Sequence, residues 1–98
     1  METFAPTFPN MAIRIIKEQE LVIGPLAWQE ARKVSGIEII DLKKGELKIQ
    51  DEDPKEIINK LVAQYERIFG KASHEVCREA VQDMIVDMPL EQIPSSLR

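Results

Sequence analysis

The sequence predicts an α+β domain, a small antiparallel sheet packed by helices over residues 25–34, 54–69 and 73–87. Three observations carry the prediction. Residues 53–70 combine a capping residue, a helical apolar stripe and a terminal glycine; residues 37–50 alternate as a β-hairpin; and each element has one apolar side that must be buried against another. The chain of 98 residues is long enough for one core without disulfides or a structural metal.

Residues 1–10 contain Pro6 and Pro9 and no periodicity, so they read as a disordered tail with two isolated aromatics, Phe4 and Phe8. Residues 11–24 fit two patterns. As a helix, Asn10 caps the segment, Met11, Ala12, Ile15 and Ile16 share a face, and Lys17-Glu18-Gln19-Glu20 are good helix formers. As strands, Met11, Ile13 and Ile15 alternate and Leu21-Val22-Ile23 is a short apolar run. The abundance of isoleucine and the outward alternation of Arg14 favour a strand over residues 12–17, with a second extended piece at 21–23.

Gly24 and Pro25 open a helix over 25–34, with Leu26, Ala27, Ala31 and Val34 as its narrow apolar face and Gly36 as its stop. Trp28 falls at the edge of that face, where a lone Trp more often serves core or subunit contact than catalysis. In the hairpin, Ile37, Ile39, Ile40 and Leu42 face Leu47 and Ile49 across a Lys43-Lys44-Gly45 turn, with Glu46 and Lys48 on the wet side. Asp53 caps the next helix, Pro54 takes its first position, and Glu56 sits where a capping box places an acid. Ile57, Leu61, Tyr65 and Ile68, widened by Ile58, Val62 and Phe69, make the stripe that Gly70 ends. Ser73 is the expected cap of a last helix whose apolar face is Val76, Ala80, Val81, Met84, Ile85 and Met88. Pro89 and Pro94 then leave residues 89–98 as a loosely packed tail, so that 11–88 form the domain.

The net charge of −4 is unevenly placed. Residues 1–50 carry seven basic and seven acidic side chains, residues 51–98 six and ten, which argues against a phosphate backbone as partner of the C-terminal half. One cysteine, Cys77, suits a reducing cytoplasm; no apolar run approaches a bilayer span, and the N-terminus lacks the apolar block of a signal peptide.

Chemical motifs are sparse. His74 and Cys77 lie three apart on one helix, but zinc needs three or four ligands, so a helix-start His and a semi-buried Cys outweigh a metal site. A Cys nucleophile with His74 as base is disfavoured because such neighbours seldom align for proton transfer. Asp51-Glu52-Asp53 lacks the pattern of a calcium loop, and Glu75, Glu79, Asp83 and Asp87 follow the spacing of a solvated helix face. Gly24-Pro25 lacks the further glycines and the Lys-Ser/Thr of a phosphate loop. No catalytic, metal or cofactor residues are therefore assigned.

The sequence expectation is a non-enzymatic, self-associating protein-interaction module, a homodimer in the cytoplasm with no membrane contact. Its apolar patch would draw on Val76, Val81, Met84, Ile85 and Met88, with Trp28, Tyr65 and Phe69 as anchors. The alternative is a truncated winged helix. If residues 11–20 are helical, 25–34 would enter the major groove with Gln29, Arg32 and Lys33, and Lys43 and Lys44 would meet phosphate from the wing tip.

Overall fold

The structure, a computed structural model, describes residues 7–41, 43–49 and 53–98. Along the chain run α1 (Thr7–Ile23), α2 (Leu26–Arg32), β1 (Ile37–Asp41), β2 (Glu46–Ile49), α3 (Pro54–Phe69), α4 (Lys71–Ala80) and α5 (Gln82–Ile85). Two 3-10 turns follow, Leu90–Gln92 and Ser95–Leu97. The fold is α+β, with five α-helices and a two-stranded antiparallel sheet among the described residues.

The strands expected over 12–17 and 21–23 are instead α1, which begins at Thr7 and so takes in the last four residues of the expected tail. Burial decides between the two patterns. Met11, Ala12, Ile15, Ile16 and Gln19 are all fully buried, a set spaced for one helical face, whereas alternation would have buried Ile13 and exposed Ile16. Pro9 lies in the first turn, where its missing N–H costs no bond, and Asn10 is inside the helix rather than its cap. Gly24, at φ +72°, ends α1 by donating its N–H to the Glu20 carbonyl at 2.8 Å. Pro25 then turns the chain directly into α2.

α2 buries Ala27, Trp28, Glu30 and Ala31, while Leu26, expected on the apolar face, is 46% exposed. The hairpin pairs Ile37 with Ile49, Glu38 with Lys48 and Ile39 with Leu47, then shifts register so that Asp41 faces Glu46. Ile40 is the residue passed over, and it stands 53% exposed. Asp41 Oδ1 accepts from the N–H groups of Lys43 and Lys44, which shapes the turn. Gly45 at φ +69° lies buried there; a Cβ would come within 2.9 Å of Lys17 Cε, so the turn sits closely on α1.

α3 follows its sequence signals. The Asp53 carboxylate accepts from Glu56 N–H, Pro54 takes the first position, and Ile57, Ile58, Leu61, Val62 and Tyr65 are buried. The Tyr65 hydroxyl donates to the Ala27 carbonyl at 2.6 Å, tying α3 to α2. Gly70 alone separates α3 from α4.

The single helix expected over 73–87 is two, and it starts earlier: Gly70, not Ser73, holds the cap position. Arg14 sits at the break at Val81. Its guanidinium donates to the Ala80 carbonyl at 3.1 Å and pairs with both oxygens of Asp83. The Met84 N–H turns to the Val81 carbonyl at 2.9 Å instead of continuing the α-helical ladder to Ala80. Ser73 is buried inside α4, its carbonyl accepting from Gln19 Nε2 at 2.9 Å.

The last ten residues are fastened rather than loose. Ile93 and Leu97 join the core at 8% and 0% exposure. Asn59 Oδ1 accepts from the Ser96 N–H and hydroxyl, His74 Nε2 donates to the Ser96 carbonyl, and Lys55 donates to the Glu91 carbonyl. The expected disorder of residues 1–6, the place of Leu42 in the first strand and the acids at 51 and 52 lie outside the described residues.

The contrast within the C-terminal segment is testable. Leu97→Ala should cost about 2–5 kcal/mol in urea unfolding, the usual result of emptying a core site. Leu90→Ala, at a residue 64% exposed, should change stability by no more than about 0.5 kcal/mol.

Candidate functional site

The titratable groups most displaced by the fold are held in structural roles. Burial pushes the Cys77 thiol up to about 11, against the opposing contact of Gln19 Nε2 with its sulfur at 3.4 Å. The Tyr65 phenol is raised far above its ordinary range, first by burial and then by the proximity of Cys77 and Glu30. Lys33, with Gln64, holds the Glu30 carboxylate below its ordinary value, at 3.0 and 2.7 Å. Asp83 is likewise lowered by its hydrogen bonds from Arg14. His74 faces the Ser96 carbonyl and, through Nδ1, Glu66 at 3.3 Å. Cys77 is fully buried and turned to Gln19, so the two residues share no site. Among the described residues, no three His, Cys, Asp or Glu side chains gather as metal ligands.

Of the residues expected to form an apolar patch, Trp28, Tyr65 and Val81 are core, at 6%, 0% and 0% exposure. Phe69, Val76, Met84, Ile85 and Met88 are half-buried. What the chain does expose is the continuation of that stretch. Residues 84–90 read Met-Ile-Val-Asp-Met-Pro-Leu; five of the seven are large hydrophobics, and none is buried. Val86 is 72% exposed and Leu90 64%. Neither was in the expected patch, because a continuous helix to residue 87 turns Val86 away from its apolar face. Leu21 and Val22, in the last turn of α1, are a second exposed apolar pair.

The residues of the winged-helix alternative are partly gathered. Gln29, Arg32 and Lys43 line one groove of about 290 Å³ between α2 and the hairpin turn, together with Trp28 and Pro25 as its apolar residues and Glu20. Lys33 lies outside it, paired with Glu30, and Lys44 is exposed on the turn. A larger cleft of about 680 Å³ runs between α1 and α4–α5, and the Arg14–Asp83 pair spans it. No helix of the described residues is long and apolar enough to cross a membrane.

The burial of Cys77 sets its reactivity. In the native protein a thiol reagent should modify it only through opening of the fold, at a rate that rises with sub-denaturing urea. Prompt stoichiometric labelling without denaturant would show the α1–α4 contact to be open. Comparison with protein-family models, with curated proteins and with solved structures finds no match to this chain.

Proposed function

We propose that the chain is a non-catalytic protein-interaction module that associates with itself through the segment at 84–90. The observation carrying this reading is the failure of that segment to bury any residue although five of its seven are large hydrophobics. Covering Val86 and Leu90, already partly covered at 72% and 64% exposure, would contribute at most roughly 1.5–3 kcal/mol each. Association itself costs about 4–15 kcal/mol, so these two alone support weak binding and the neighbouring half-buried Met84, Ile85 and Met88 must add to it. The non-catalytic part rests on the use of Tyr65, Cys77, Glu30 and Asp83 in holding elements together. A single buried thiol suits a reducing cytoplasm.

Sedimentation velocity over a concentration series tests the reading. The wild type should pass from monomer to a larger species with rising concentration, and Val86→Asp/Leu90→Asp should remain monomeric with an unchanged thermal melt. A wild type that stays monomeric up to about 1 mM, a concentration at which even interactions of about −4 kcal/mol register, would sink it.

The winged-helix alternative gains two specific observations. Residues 11–20 are helical, as that reading requires, and Gln29, Arg32 and Lys43 converge on one groove. Against it stand the length of α2, seven residues, and the pairing of Lys33 with Glu30. If it holds, duplex DNA binding should weaken steeply with salt and vanish in Arg32→Ala/Lys33→Ala, as fluorescence anisotropy would show.

A further inference from the structure

We propose that the groove between α2 and the hairpin turn receives the 86–91 segment of a second copy of this chain. The inference rests on the self-association above and names its other half. An exposed apolar segment needs a receiving surface, and the two sites match in polarity and in charge.

Val86 and Leu90 are exposed beside Asp87 and Glu91, which are exposed as well. Among the described residues, neither carboxylate has a cationic partner; the bond at Glu91 is to its backbone carbonyl. The groove offers the converse: an apolar wall from Trp28 and Pro25, and donors on Gln29, Arg32 and Lys43. Arg32 and Lys43 have no carboxylate partner among the described residues, although Lys33, Arg14 and Arg78 do. Glu20 also lines the groove, so the lining holds two cations against one carboxylate. The whole chain shows the same asymmetry, with its excess acid in residues 51–98.

A chain's own segment is not the occupant. Lys55, Asn59 and His74 tie residues 91 and 96 to α3 and α4, and Ile93 and Leu97 are sunk in the core, whereas the groove belongs to α2 and the hairpin. The contact is thus between different surfaces of two copies. It closes as a reciprocal dimer if a two-fold axis relates two such contacts, and otherwise extends as a chain.

Charge exchange tests it by sedimentation velocity, with circular dichroism confirming the fold of each variant. Arg32→Glu and Asp87→Arg should each weaken self-association by about tenfold, through like-charge contact at the rim. An equimolar mixture of the two variants should restore it, because each altered groove then meets a complementary altered segment and each unaltered groove an unaltered one. Wild-type association that neither substitution weakens would overturn the groove assignment while leaving the module reading intact. Both weakened with no recovery on mixing would also overturn it. A monomeric wild type at all concentrations removes both proposals. DNA binding abolished by Arg32→Glu, with self-association unaltered, would reassign the groove to nucleic acid.

Discussion

The structure depends on burying one face of α1. That face, Met11, Ala12, Ile15, Ile16 and Gln19, is fully inside, and α1 packs against α2, α3, α4 and β2. The two-stranded sheet cannot supply a core alone, since an isolated hairpin is marginal in water. It is held because Ile37 and Leu47 join the cluster formed around α1, and because its turn rests on Lys17 and Trp28. The helix of residues 54–69, which carries the clearest local signals, is one wall of that cluster rather than its centre.

Polar side chains on α1 extend its control to the far end of the chain. Gln19 reaches into α4, donating to the Ser73 carbonyl and to the Cys77 sulfur. Arg14 takes the Ala80 carbonyl and both oxygens of Asp83. The second contact lies where the helix divides, α4 ending at Ala80 and α5 beginning at Gln82. Beside it Val81 is fully buried and Val86 exposed, the same division that an unbroken helical face gives.

The surface that results is polarised. The 84–90 segment and its neighbouring acids belong to the end anchored on α3 and α4, and the groove with Arg32 and Lys43 belongs to α2 and the hairpin. Exposed charges of opposite sign on different elements contribute little to the stability of the monomer. In the proposed contact they would act on encounter and register, where complementary potentials select among partners. Burial keeps Cys77 and Tyr65 away from the surface altogether and raises the pKa of both.

Where the relevant interactions are local, the sequence by itself determined the outcome. Asp53, Pro54 and the stripe from Ile57 to Tyr65 specify α3 within its own turns, and the Lys43-Lys44-Gly45 turn specifies the hairpin across four residues. Residues 11–24 were ambiguous because their apolar positions satisfy both periods, and only the surfaces of α2, α3 and α4 select the helical one. The C-terminal segment was misjudged for the same reason. Nothing near Val81 in the chain announces that Arg14, 67 residues earlier, will claim the preceding carbonyl. Nothing near Ser96 announces Asn59. Trp28, Tyr65 and Val81 were legible as large apolar residues for either core or contact, and the choice between the two rests on what the rest of the chain brings to them. Only the tertiary structure decided the surface at 84–90 and the groove beside α2, because the first is what the packed core leaves uncovered and the second needs the hairpin turn brought against α2.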